Sequence, residues 1–111
     1  MLTTIELSAA AITHNYRQFC KIAGHERVAP VLKSNAYGHG LAEVYSVLAA
    51  ESPPWLCVNY VAEGAKLRQL GYRGRILVVG PAVARELTQA AALDLDIVLG
   101  NATVLAAWMQ A

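Results

Sequence analysis

The sequence is poor in the features that mark several large classes of protein. Among 111 residues it has only two cysteines, and neither Cys20 nor Cys57 has a second Cys or a His at metal-site spacing, so we predict neither a disulfide scaffold nor a metal site. We expect both to be free, buried thiols.

The net charge of the chain is also small. With 9 Lys plus Arg against 8 Asp plus Glu, the formal charge is +1, which favours neither nucleic acid nor a membrane surface as a partner.

Long hydrophobic segments are also missing. The most apolar run, residues 76–84, contains Gly80 and Pro81 and is far shorter than the roughly 20 residues of a membrane helix. The amino terminus has no basic segment followed by an apolar one, which is the pattern of a secretory signal. We therefore expect a cytoplasmic protein. A hydrophobic content of 56% with 15% charged residues is typical of a globular fold with a core.

Strand-like and helix-like segments alternate along the chain. Ser8 is predicted to cap a first helix that runs to Ala23 and ends at Gly24. Short apolar strands are then predicted over residues 27–33, 55–60, 75–80 and 96–100, and helices over 41–51, 62–70 and 83–93. Asn101 is predicted to cap a last helix that runs to Ala111. The pattern favours parallel βα units, in either an open doubly wound sheet or a (β/α)8 barrel.

Length decides how much of a barrel is present. A complete (β/α)8 barrel takes about 250 residues, so four βα units after an initial helix correspond to about half of a TIM-type barrel. Half a barrel leaves its first and last strands as open edges and much of its inner face uncovered. The sequence therefore predicts self-association or poor solubility of the isolated chain.

Two side chains near the end of the first predicted strand are candidates for chemistry. Lys33 lies where parallel α/β folds place reactive groups, although a lysine at a strand end is more often solvated. An amine held among apolar groups can attack an aldehyde, which forms the Schiff base that pyridoxal phosphate chemistry requires. Four residues later, Tyr37 is placed either to donate a hydrogen bond to a cofactor oxygen or to pack over the strands with its hydroxyl in water.

The segment around Lys33 also carries a family resemblance. The amino-terminal part of bacterial alanine racemases has a signature that is similar, almost letter for letter, to the run Val31-Leu32-Lys33-Ser34-Asn35-Ala36-Tyr37-Gly38-His39-Gly40. Residues 14–17, 61–71 and 76–80 resemble the same family in order and spacing. The resemblance covers essentially the whole chain, and Ser34 stands where the family more often has alanine.

The resemblance implies a pyridoxal 5′-phosphate enzyme, a homodimer that interconverts L- and D-alanine for peptidoglycan synthesis. Residues 1–111 would be the first part of its cofactor-binding barrel, without the β-rich domain that follows. Lys33 would carry the cofactor and act as the base on one face of the substrate. Tyr37 would contact the cofactor phosphate, and Val31, with Val79 as a further candidate, would line the site. The second base, a tyrosine of the partner subunit, and the arginines of the family site belong to segments that this sequence does not contain.

Two other functions stay open at this point. The same scaffold suits racemisation of a different amino acid, because the residues that shape the substrate pocket lie outside this sequence. A non-catalytic half-barrel that associates with itself or with a complementary fragment would instead use Lys33 only as a surface lysine. Since racemisation by two bases needs a proton carrier on each face of the α-carbon, we expect the 111 residues alone to have negligible activity.

Overall fold

The computed structural model describes residues 2–111 as helices that alternate with three short strands. The elements, in chain order, are α1 (Ala9–Ala23), α2 (Lys33–Tyr37), α3 (Leu41–Ala49), β1 (Trp55–Val58), α4 (Val61–Gln69), β2 (Arg75–Val78), α5 (Leu87–Ala92), β3 (Leu95–Ile97) and α6 (Ala102–Met109). Two 3-10 helices lie at His25–Arg27 and Ala84–Glu86. Within residues 2–111, none of the helices combines the length and apolarity needed to traverse a lipid bilayer.

Capping residues set the limits of the first and last helices as the sequence predicts. Ser8 Oγ accepts a hydrogen bond from the Ala11 N–H at 3.1 Å, which satisfies one of the unpaired amides at the start of α1. Gly24 ends α1 with φ +93°, a backbone conformation that favours glycine. Asn101 Oδ1 accepts from the Val104 N–H at 2.9 Å at the start of α6. Both predicted helix starts are confirmed.

The strands form one parallel sheet in the order β1-β2-β3. One face of this sheet packs against the helices, and its residues there are fully buried: Leu56, Val58, Ile76 and Val78. Because side chains alternate between the two faces of a strand, the intervening residues point to the opposite face. Parallel βα units of the predicted kind are therefore present, with the core between the sheet and its helices.

The prediction of a strand over residues 27–33 is wrong in extent. The segment begins with the 3-10 helix, and only Val31 forms a bridge, with Cys57 of β1. Leu32 N–H donates to the Cys57 carbonyl and Cys57 N–H donates to the Pro30 carbonyl, both at 2.8 Å. Pro30 has no N–H of its own to extend the ladder, and the chain turns immediately after Leu32. The segment thus occupies the position of a first strand beside β1 without forming a regular one.

Other predicted boundaries differ by a few residues. The helix predicted over 83–93 starts as a 3-10 helix and is α-helical only at Leu87–Ala92, and the strand predicted over 96–100 is Leu95–Ile97. The strands predicted over 55–60 and 75–80 end earlier, at Val58 and Val78. In each case the element type is right, while the loops at the carboxyl edge of the sheet are longer than predicted.

The two cysteines differ from each other. Both are free, but only Cys57 is buried, whereas Cys20 is half-buried, so the expectation of a buried thiol is wrong for Cys20. Burial raises the pKa of the Cys57 thiol. A thiol that stays protonated is a weak nucleophile, so Cys57 serves as a small apolar side chain in the sheet.

The sheet face opposite the helices is open, and we call it the open face. Val31, Cys57 and Leu77 are in register across it, and Val79 and Val98 follow on the same side, 41% and 47% exposed. Within residues 2–111, β3 pairs with β2 alone, so its other edge is unpaired. Exposed apolar surface beside an open strand edge favours association.

We therefore expect the purified 111-residue chain to sediment as a species larger than a monomer, increasingly so at higher concentration. Analytical ultracentrifugation over a range of concentrations measures this directly. Val79→Lys and Val98→Lys together place charges on the open face and are expected to shift the distribution toward monomer. A wild-type chain that sediments as a clean monomer throughout would contradict the prediction.

Candidate active site

Lys33 lies at the carboxyl edge of the sheet. Its preceding residue, Leu32, is the last to bond to β1, and the chain leaves the sheet at Lys33. This is the edge at which parallel α/β barrels carry their reactive groups. Lys33 is half-buried, so its amine combines access to the edge with partial shielding from water.

The turn that follows Lys33 is left-handed. Ser34, Asn35, Ala36 and Tyr37 have φ values between 54° and 56°, and i to i−4 hydrogen bonds close the turn, including Ala36 N–H to Leu32 O at 2.9 Å. Left-handed backbone costs residues with a Cβ about 1–2 kcal/mol each. Consecutive residues of this kind persist only where the surrounding structure holds them, and such segments cluster at functional sites.

Contacts on both sides hold this turn in place. Ala36 packs into the main core and is only 3% exposed. Asn35 Oδ1 accepts from the Leu41 N–H at 2.8 Å, so the turn also caps the start of α3. Gly38 and Gly40 complete the connection with φ +86° and +102°, values that favour glycine. The backbone beside Lys33 is therefore fixed by the elements that flank it.

The structure brings Lys33 and Tyr37 together. Lys33 Nζ lies 6.0 Å from the centroid of the Tyr37 ring, and Tyr37 is 61% exposed. An exposed phenol beside a half-buried amine can donate a hydrogen bond to an oxygen of a bound molecule. The two residues thus form a small polar pair above the carboxyl edge of the sheet.

The two valines proposed to line the site lie on the open face. Val31 is 40% exposed beside β1, two residues before Lys33, and Val79 follows β2, where its N–H bonds to the Val58 carbonyl at 2.8 Å. Both present apolar side chains to the same side of the sheet as Cys57. They therefore offer apolar surface on the open face, near the edge at which the chain leaves the sheet for Lys33.

Glu63 is a residue of the site that the sequence reasoning missed. Its Oε2 accepts from the Ser34 N–H at 2.8 Å, while its Oε1 accepts from the N–H groups of Asn59 and Tyr60 at 2.8 and 3.0 Å. Glu63 lies three residues after Tyr60, the residue that precedes the first turn of α4, whereas the capping signature in a sequence has Ser, Thr, Asp or Asn at that position. No sequence pattern therefore indicates the bonds to Asn59 and Tyr60, and the bond to Ser34 depends on the fold.

The described residues contain no metal-binding cluster. Within residues 2–111, no group of three or more His, Cys, Asp or Glu side chains converges as a metal site requires. The groups available for chemistry are the Lys33 amine and the Tyr37 phenol, beside a backbone that the Glu63 carboxylate holds at Ser34.

Comparison with known proteins identifies the family. Residues 7–111 match the model of the alanine racemase N-terminal domain. The chain belongs to this family. An alanine racemase of Nitratidesulfovibrio vulgaris is 42% identical over 89 residues, which are 80% of this chain and 23% of that protein. A broad specificity amino-acid racemase of Pseudomonas putida is 34% identical over 99 residues, 88% of this chain and 24% of that protein. The alanine racemase N-terminal domain described here thus spans about a quarter of the length of these curated relatives.

A solved structure shows which part of a larger fold this chain corresponds to. The crystal structure of alanine racemase from Oenococcus oeni superposes on this chain with a TM-score of 0.83 and 26% sequence identity, covering 95% of this chain and 30% of that one. The parallel βα units of this alanine racemase N-terminal domain are therefore the first part of the racemase barrel. The predicted family and the predicted half-barrel are both confirmed.

Proposed function

We propose that this chain supplies the cofactor lysine and the first part of the cofactor-binding barrel of a pyridoxal 5′-phosphate-dependent amino-acid racemase, with alanine as its substrate. The observation that carries the proposal is the position of Lys33, which begins a left-handed turn at the carboxyl edge of the sheet. The proposal includes the family's role in supplying D-alanine for peptidoglycan in the cytoplasm, and its homodimeric state.

The residues present fit the cofactor. Lys33 offers a primary amine for the aldehyde, Tyr37 lies close enough to contact the same bound molecule, and Val31 and Val79 offer apolar surface beside it. Bound pyridoxal phosphate supplies an electron sink for negative charge at the substrate α-carbon. Tyr37 would donate a hydrogen bond to a phosphate oxygen. Segments outside residues 1–111 would supply the remaining phosphate and substrate contacts.

The proposed chemical role of Lys33 is proton transfer as well as binding. With the cofactor bound, Lys33 Nζ would remove or return a proton at the substrate α-carbon on its own face. A base within hydrogen-bond reach of the proton contributes typically 10²–10⁴-fold to a rate, so loss of either base is severe. The second base is proposed to lie outside these residues.

Reductive trapping tests the proposal. The chain is incubated with pyridoxal 5′-phosphate, reduced with borohydride and digested, and the modified peptide is located by mass spectrometry. We expect the label on the peptide that contains Lys33, together with a visible absorbance band before reduction. A label spread evenly over all lysines, or none, would reject a specific cofactor site.

The isolated chain is expected to racemise alanine negligibly even when it holds the cofactor. Proton transfer on only one face of the α-carbon does not complete the inversion. Circular dichroism measures the loss of optical activity of a D-alanine solution to which the chain and pyridoxal phosphate are added. Appreciable racemisation above the rate with free pyridoxal phosphate would show that these residues contain a complete site.

The substrate is proposed as alanine rather than a broader set because alanine racemases recur among the similar proteins. The similarity to a broad specificity racemase keeps a second candidate, racemisation of several amino acids. The two candidates differ in the segments that complete the substrate pocket. Activity of the gene product that contains this chain, measured with alanine, serine and lysine as alternative substrates, separates them.

A further inference from the structure

Glu63 contacts the residue that follows Lys33, but it has no part in the chemistry proposed above. We propose that Glu63 is a positioning residue, whose carboxylate holds the backbone at Ser34 and so fixes where the Lys33 amine lies. This inference rests on the proposed role of Lys33 as the cofactor lysine. It assigns to Glu63 a function beyond the cap that it forms at the start of α4.

One carboxylate joins three separate parts of the carboxyl edge. Glu63 belongs to the first turn of α4, and its Oε1 accepts from Asn59 and Tyr60 in the loop after β1. Its Oε2 accepts from the Ser34 N–H in α2 at 2.8 Å. Hydrogen bonds to an ionised acceptor are shorter and stronger than neutral ones. Glu63 therefore ties the Ser34 backbone to the loop after β1 and to α4, in addition to the contacts of Leu32 and Ala36 that hold the rest of the turn.

The backbone at Ser34 needs such a restraint. The N–H groups of a first helical turn have no partner inside the helix, and Ser34 is the first residue of the left-handed stretch, with φ 54°. Within residues 2–111, Glu63 is the one side chain from another helix or strand that bonds to the backbone of α2. Without it, Ser34 would regain access to the right-handed and extended conformations that it ordinarily prefers. The direction of the Lys33 side chain would then vary with it.

A glutamine at this position separates the positioning role from the capping role. In Glu63→Gln, the single amide oxygen can still accept from both Asn59 and Tyr60, because a carbonyl oxygen has two lone pairs. The amide nitrogen then faces the Ser34 N–H, and two donors cannot bond to each other. The cap of α4 is kept while the bond to Ser34 is lost. Glu26→Gln is the matched control, since Glu26 is exposed and precedes the segment beside β1, at the other end of the sheet.

The first measurement needs no cofactor. Amide hydrogen exchange of the 111-residue chain, followed by NMR, is expected to be at least about tenfold faster at Ser34 in Glu63→Gln than in the wild type, because exchange reports loss of local protection. The Asn59 and Tyr60 amides are expected to keep wild-type rates in the same variant. Glu26→Gln is expected to match the wild type at all three amides.

The second measurement uses pyridoxal 5′-phosphate and borohydride as before. Label at Lys33 after a fixed short time is expected to fall about tenfold in Glu63→Gln, as loss of positioning within a site can produce, and to stay unchanged in Glu26→Gln. An amide-to-ester change at Ser34, introduced by semisynthesis, removes the N–H donor and leaves Glu63 intact. It is expected to reduce the label as Glu63→Gln does, and it provides the test if Glu63→Gln fails to fold by circular dichroism.

The outcomes distinguish this inference from the proposed function. Wild-type label on another lysine would reject the proposed role of Lys33 and this inference with it. Wild-type label on Lys33, with unchanged labelling in both Glu63→Gln and the Ser34 ester, would overturn the positioning role alone and leave Glu63 as a helix cap. Faster exchange at Ser34 with unchanged labelling would also overturn it, because a loosened turn would then have no effect on the lysine.

Discussion

Lys33→Ala is expected to abolish both the visible absorbance of the bound cofactor and the borohydride-fixed label on the peptide of residues around position 33. In the proposed function the Lys33 amine bonds to the aldehyde of pyridoxal phosphate, and alanine has no amine in its side chain. Lys33 is half-buried and begins a turn whose backbone is held by neighbouring contacts, so truncation of its side chain should leave the fold intact. Absorbance spectra and peptide mapping, with far-UV circular dichroism as the check on folding, measure the result.

Lys66→Ala is the matched control for this substitution. The sequence has three lysines, at positions 21, 33 and 66, and Lys66 lines an open cleft beside the site with Asn35 and Glu63. It tests whether a nearby exposed lysine collects the cofactor instead. Lys66→Ala is expected to keep the full label at Lys33. If the label survives in Lys33→Ala and disappears in Lys66→Ala, the assignment of the cofactor lysine is wrong.

Local signals account for the parts of the fold that the sequence predicts well. The starts of α1 and α6 follow from Ser8 and Asn101, whose side chains bond to amides three residues later. The end of α1 follows from a glycine with positive φ at position 24. These features depend on residues close together in the chain, so a sequence pattern is sufficient to find them.

The left-handed turn after Lys33 is a feature that local sequence signals do not predict. Ser34, Ala36 and Tyr37 ordinarily avoid positive φ, and no pattern in their sequence indicates that all three adopt it. The turn exists because Ala36 is buried in the core and Glu63 bonds to Ser34 from a helix 29 residues away in sequence. Contacts that form only in the fold therefore decide the geometry of the site, while the identity of the lysine came from a family resemblance.

Arg68 illustrates a second contact of this kind, at the opposite edge of the sheet. Its guanidinium donates to the carbonyls of Tyr72 and Gly74, at 3.0 and 2.7 Å, in the loop before β2. It also donates to the carbonyls of Leu93 and Asp94, at 2.8 and 3.0 Å, in the loop before β3. A planar group with several donors in fixed directions suits this task. The Arg68 side chain therefore links the loops that precede β2 and β3, two adjacent strands of the sheet.

Arg68→Met is expected to lower the free energy of unfolding by about 3 kcal/mol, since hydrogen bonds to a charged group contribute about 1.5–3 kcal/mol each and these are partly exposed. For a domain of this size, the loss corresponds to a melting temperature lower by roughly 15 °C. Methionine preserves most of the apolar stem, so the effect reports the lost donors. Urea unfolding followed by circular dichroism gives the free energy, and cofactor labelling at Lys33 in the folded variant is expected to stay at the wild-type level.

Two further substitutions show whether the stabilising effect of Arg68 depends on the geometry of its guanidinium or on its charge. Arg68→Lys keeps the charge, but a single nitrogen cannot reach both loops, so it is expected to recover only a minor part of the lost stability. Arg85→Met removes an exposed arginine that bonds to no other side chain or carbonyl within residues 2–111, and surface changes of this kind usually stay within about 0.5 kcal/mol.

Equal stability of Arg68→Met and Arg85→Met would mean that the loops hold their positions without Arg68. A large loss from Arg68→Met that leaves Lys33 labelling unchanged would show that the amino edge of the sheet stabilises the fold while the carboxyl edge carries its chemistry, as parallel α/β barrels divide these tasks.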